Sequence, residues 1–133
     1  MTPEQTVDFI EILNHHEVLS FSGEDPVVLD LGVGTVEIWA DRSQRWYLNG
    51  QLHRTDGPAV IWTNGAQLWW LNGQWHRHDG PAAIDSVGTQ LWYSNGQRHR
   101  TDGPAEIFAD GTQRWFLNGE EVTQKEHHQR TGR

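Results

Sequence analysis

Three copies of the text His-Arg-x-Asp-Gly-Pro-Ala are the best candidate for chemistry in this 133-residue chain. They run His53–Ala59, His76–Ala82 and His99–Ala105. An imidazole, a guanidinium and a carboxylate within four positions could bind an anion, ligate a metal or move a proton. Zinc needs ligand nitrogens about 2.0 to 2.1 Å from the ion, whereas equivalent His residues of stacked hairpin units start roughly 9 to 10 Å apart, so a shared metal site is not expected. A nucleophile is missing too: the chain has no Cys, and no Ser recurs with the His. A residue needed once for catalysis has no reason to recur in every unit. No catalytic residue and no cofactor are therefore expected. The structural role is that Asp56, Asp79 and Asp102 bond backbone N–H groups in a tight turn while Arg54, Arg77 and Arg100 pair with an Asp of the same or the next unit. Anion binding by Arg54, Arg77 and Arg100 is the chemical role left to the motif.

The spacing of these copies is 23 residues, and the elements that must hold them repeat with it. Ile38, Ile61, Ile84 and Ile107 share one register position, Trp46, Trp69, Trp92 and Trp115 another, and Asn49-Gly50, Asn72-Gly73, Asn95-Gly96 and Asn118-Gly119 a third. Each unit holds two short runs with strand character, such as Ala59–Trp62 and Gln67–Leu71, separated by Asn64-Gly65 and closed by Asn72-Gly73. Asn-Gly supplies the positive backbone angles of a tight turn, and the Gly before Pro58, Pro81 and Pro104 permits a sharp bend into the first strand. The fold expected is mainly β, an antiparallel meander of about four 23-residue β-hairpin repeats with an N-terminal α-helix. Ala59, Ile61, Trp69 and Leu71 scarcely change between units and are assigned to the packed ladder. Opposite them the side chains vary, with Trp39, Trp62, Asp85 and Phe108 on one strand and Tyr47, Trp70, Tyr93 and Phe116 on the other. That face, with Trp75, is read as a contact surface: Trp39, Trp62, Trp70, Trp75, Tyr47 and Tyr93. A partner, a second copy of the chain or the N-terminal segment is expected to cover part of it.

Three regions follow: 1–33 an acidic N-terminal helix and lead-in strand, 34–119 the hairpin array, 120–133 a polar C-terminal tail. Residues 1–33 carry seven Asp or Glu and no Lys or Arg, so they hold most of the net charge of −8. Thr2-Pro3-Glu4-Gln5 has the form of a helix start, and Phe9, Ile10 and Leu13 make an apolar stripe. His127 and His128 fall in the tail, where no apolar periodicity predicts order. The acidic balance disfavours direct contact with nucleic acid or with an anionic membrane. The lack of cysteine, of a leader pattern and of any long apolar run leads to the expectation of a soluble cytoplasmic protein.

Two resemblances bear on function. Val28-Leu29-Asp30-Leu31-Gly32-Val33-Gly34-Thr35 resembles the glycine-rich loop of S-adenosylmethionine-dependent methyltransferases, but the following residues read as strand, and the array consumes the chain that a doubly wound fold would need. The second covers about two thirds of the chain. Tyr47-Leu48-Asn49-Gly50-Gln51-Leu52-His53, Trp70-Leu71-Asn72-Gly73-Gln74-Trp75-His76 and Tyr93-Ser94-Asn95-Gly96-Gln97-Arg98-His99 resemble a divergent MORN repeat array. The family has Gly-x-Gly directly after the His, where this chain has Arg-x-Asp-Gly-Pro. The same variant is similar to repeats in uncharacterised proteins of bacteriophages and large DNA viruses. The resemblance implies a non-enzymatic protein-binding module, such as a phage-encoded inhibitor of a host enzyme or nuclease in a defence system, of the anti-CRISPR kind, acting in the host cytoplasm. The alternative is a nucleotide-binding sponge that stacks a base on Trp62, Trp70 or Tyr93 and holds its phosphates with Arg77 or Arg100.

Overall fold

The computed structural model describes residues 25–132. The expected N-terminal helix at Thr2–Leu13 lies outside these residues. The rest is a meander of antiparallel strands. β1 (Val27–Asp30), β2 (Thr35–Ile38) and β3 (Gln44–Leu48) open it, and β3 turns back on the two-residue β4 (Gln51–Leu52). The sheet continues through β5 (Val60–Ile61) and β6 (Gln67–Leu68), whose chain then makes a separate hairpin, β7 (Trp70–Leu71) with β8 (Gln74–Trp75). The next unit repeats this with β9 (Ala83–Ile84), β10 (Gln90–Leu91), β11 (Tyr93–Ser94) and β12 (Gln97–Arg98). β13 (Glu106–Ile107), β14 (Gln113–Leu117), β15 (Glu120–Val122) and the helix α1 (Gln124–Thr131) close the chain.

One Trp in each unit joins the main sheet to the side hairpin. The N–H of Trp69 donates to Ala82 O (2.6 Å), while its carbonyl accepts from His76 N (3.2 Å). Trp46 does the same with Ala59 and His53, and Trp92 with Ala105 and His99. The two turn types differ as their chemistry demands. At Asn72-Gly73 both residues have positive φ (50° and 77°), the form that matches strand twist in a two-residue turn. At Asn64-Gly65 only Gly65 is left-handed (φ 92°), and Asn64 instead accepts the Ala66 N–H at its side chain (3.0 Å), so this Asn-Gly serves a longer loop than expected.

Register puts one row of alternating Ile and Gln across the sheet: Ile38, Gln44, Ile61, Gln67, Ile84, Gln90, Ile107, Gln113. The neighbouring row, on the opposite face by strand alternation, reads Glu37, Arg45, Val60, Leu68, Ala83, Leu91, Glu106, Arg114. The constant ladder does supply a core, with Val36, Ile38, Trp46 and Ala59 buried together and Ile61 packed against them, and Trp70, expected on the opposite contact face, packs against the same cluster. The varying row is buried as well, at Val60, Ala83 and Glu106, which corrects the expectation of one packed face. In the last unit the reason is visible: Arg98, in the side hairpin, reaches Glu106 in the sheet (2.9 Å).

The C-terminal region also departs from the expected polar tail. Thr123 caps α1 by accepting the Glu126 N–H while Glu126 accepts the Thr123 N–H, a capping box that the Thr-x-x-Glu spacing encodes. The helix closes the open end of the array. Val122 and Thr123 stand where His and Arg stand in the earlier copies, so Trp115 has no Arg of its own unit over it. His127, 1% exposed, meets the Trp115 ring edge-on with centroids 4.8 Å apart, and its Nε2–H donates to Arg100 O (2.7 Å).

Candidate functional site

Each His-Arg-x-Asp-Gly-Pro copy folds around its Arg. The guanidinium carbon of Arg77 lies over the Trp69 ring (3.9 Å), Nε donates to Asp79 Oδ1 (3.3 Å), and Nη1 donates to Pro81 O (3.1 Å). Arg54 over Trp46 and Arg100 over Trp92 repeat the arrangement, with Asp56 and Pro58 or Asp102 and Pro104. The glycine belongs to the same packing. A Cβ on Gly80 would lie 2.9 Å from the Arg77 guanidinium carbon, and Gly57 and Gly103 stand in the same relation to Arg54 and Arg100. The chain bends at this residue, as read from sequence, and the space beside the guanidinium is a second reason for Gly there. The Arg pairs with the Asp of its own unit, whereas Asp56 and Asp79 take the Arg Nε–H in place of the backbone N–H groups expected of them in the turn.

The His of each copy ties one unit to the next. His53, His76 and His99 accept the backbone N–H of Asn72, Asn95 and Asn118 at Nδ1 (3.0, 3.1 and 2.9 Å). An imidazole that accepts at Nδ1 carries its proton on Nε2, so each ring has an N–H donor left for other partners. Among the described residues no group of three or more His, Asp or Glu is placed to hold a metal ion.

Some of the residues singled out by sequence converge. Arg77, Arg100 and Tyr93 line one groove of about 480 Å³, together with His76, His78, Ser94, His99, Asp79 and Asp102. That volume is within the range of small-molecule sites. The Arg bonds to Asp and Pro use Nε and Nη1 and do not use Nη2. The Asp79 and Asp102 carboxylates are mostly exposed, so the acidic groups sit at the rim and the donors lie deeper. Arg54 is buried, at 9% exposure, and is not among the groove's lining.

The aromatic residues form a second feature. Trp70 and Trp75 are 4.4 Å apart at their centroids, Trp75 stacks on Tyr93 (5.4 Å), and Tyr93 accepts from Arg98 Nε at its hydroxyl (3.3 Å). Arg45 lies over both Trp39 and Trp62, 5.1 Å from each ring. Trp62 is the most open of these rings at 38% exposure, and Tyr47 lines a separate groove with Thr35 and Glu37. The surface therefore carries an exposed aromatic cluster with Arg contacts.

Sequence reasoning missed two residues of the main groove. His78 stands where Thr55 and Thr101 stand in the other copies, and Ser94 where Leu48, Leu71 and Leu117 stand. The departure from the repeat was the signal that could have found them. No helix among the described residues is long and apolar enough to cross a membrane. Comparison with family models, with curated proteins and with solved structures finds no match for this chain.

Proposed function

We propose that the array is a binding module for a small ligand that joins a planar ring to a negatively charged group, of the nucleotide class. One observation carries this reading: Arg77, Tyr93 and Arg100, which come from three separate segments, line the same groove. The ring lies against Tyr93, and the charged group takes the Nη2 edges of Arg77 and Arg100. Each Arg is already neutralised by its Asp, so recognition rests on oriented N–H donors rather than on net charge. Titration calorimetry of the full chain with AMP as probe tests it, with saturable one-to-one binding expected and absence of binding opposing it. The ligand is held without turnover, so AMP recovered after incubation is expected unchanged by chromatography.

A second reading, a protein partner docked on the strip Trp39, Arg45 and Trp62, is favoured by the exposure of Trp62 beside an Arg, a pairing common at interface anchors. On that reading Trp62→Ala weakens partner capture by about 2 kcal/mol or more while the melting temperature holds.

A further inference from the structure

In a repeat array, positions that keep the repeat serve packing, and positions that leave it at one unit alone are free to serve something else. Two such positions meet in the groove. Ser94 replaces the Leu that Leu48, Leu71 and Leu117 supply at the same place, and His78 replaces a Thr. The first change removes a branched aliphatic side chain from the groove wall and adds a hydroxyl. The second adds an exposed imidazole. With Nδ1 of His76 and of His99 committed to the next hairpin's backbone, what these rings offer the groove is Nε2–H. The wall thus combines two imidazole N–H donors, a hydroxyl, a further imidazole and two guanidiniums, with the Asp79 and Asp102 carboxylates at its rim.

We infer that this is one specific site, confined to the groove between the second and third His-Arg-x-Asp copies, and that Ser94 and His78 determine its specificity for a phosphate monoester. The inference rests on the small-ligand reading above and names its chemistry. A phosphate monoester presents several acceptor oxygens and no strong donor at neutral pH, which fits a wall rich in donors. The corresponding place one unit earlier has Leu71 and Thr55 in these roles and lacks both features.

The test uses variants that restore the array's own residues, Ser94→Leu and His78→Thr, because the fold already accepts Leu and Thr at the equivalent positions. The full-length chain and both variants are titrated by calorimetry with AMP, ribose 5-phosphate, inorganic phosphate and adenosine, and their melting temperatures are measured alongside. The expected result is that AMP binds the parent, that adenosine binds at least tenfold more weakly than AMP, and that each variant loses at least tenfold in AMP affinity with its melting temperature kept. Ribose 5-phosphate bound as well as AMP also supports the phosphate site but removes Tyr93 from recognition. Inorganic phosphate bound as tightly as AMP contradicts specificity for an ester. If AMP binds the parent and both variants equally, the specificity role of Ser94 and His78 is overturned while the small-ligand reading stands. If the parent binds none of the four probes, both fall together.

Discussion

The Gly80 Cα lies against the Arg77 guanidinium so closely that a methyl group there would come within 2.9 Å of its central carbon. The guanidinium is consequently enclosed between the Trp69 ring on one side and a glycine on the other. This explains why Arg, Asp, Gly and Pro travel together in the motif: one residue is the stacked cation, two supply acceptors, and one leaves room.

Gly80→Ala should destabilise the chain by about 1 to 3 kcal/mol, because overpacking displaces the Arg from its ring and its acceptors. Gly80 is not among the residues with positive φ, so backbone strain does not contribute. Urea denaturation checks the value. Gly88→Ala, where φ is +96° and nothing lies within 4 Å, should lose stability through strain alone and serves as the contrast.

The buried carboxylate of Glu106, 2% exposed, pairs with Arg98 (2.9 Å) and Arg114 (3.2 Å), and Arg114 also binds Glu121 through two N–H donors. The equivalent places one unit earlier hold Ala83, Trp75 and Leu91. Removing the charge alone, as in Glu106→Gln, should cost about 1 to 3 kcal/mol, since Arg98 and Arg114 lose the buried carboxylate they share. Copying the earlier unit in full with Arg98→Trp, Glu106→Ala and Arg114→Leu should be near neutral or stabilising, because a buried ion pair is replaceable by packed apolar groups. Thermal melts of the single and triple variants decide it.

Much of the array was legible because its signals are local and repeated. Asn72-Gly73 fixes a hairpin, Trp46, Trp69 and Trp92 mark the junction, and 23-residue spacing sets the stacking. What was not legible depends on contacts between units. Nothing in His76 itself says that its Nδ1 will meet the Asn95 N–H, or that Gly80 faces a guanidinium. The helix α1 was missed for a different reason: its stability comes from a cap and one buried His rather than from an apolar stripe. The sponge alternative joined Arg77 or Arg100 to one of three rings, and only the fold selects Tyr93 and brings both Arg into its groove.

His127→Ala should remove both the ring contact with Trp115 and the bond to Arg100 O. A loss of about 1 to 3 kcal/mol is expected, with hydrogen exchange speeding first at β14 and β15 rather than at β5 and β6. Uniform loss of protection across the array would instead mean that the helix does not act as an end cap.

Acid should weaken the array through its loop carboxylates. The Ser43 hydroxyl, then the Ser43 N–H, holds Asp41 below the ordinary carboxylate range; the Thr89 N–H does so for Asp85, and the Thr112 N–H for Asp110. Their native forms bind protons less readily than the unfolded chain does, so this stability is complete above the unfolded Asp value of about 4 and is lost as pH falls through the lowered native values. The melting temperature should therefore drop on acidification below about pH 4. Asp85→Asn, which keeps an acceptor but does not titrate, should show a smaller acid-induced drop than the parent.

The most direct measurement of the central claim is a ¹⁵N-resolved NMR titration of the full chain with AMP, reading backbone and imidazole signals together. The expected result is saturable shifts confined to His76, Arg77, His78, Tyr93, Ser94, His99 and Arg100, with the Nε2–H signals of His76 and His99 moving and the array otherwise unchanged. Shifts centred on Trp39, Arg45 and Trp62, or no shifts at all at saturating nucleotide, would contradict it.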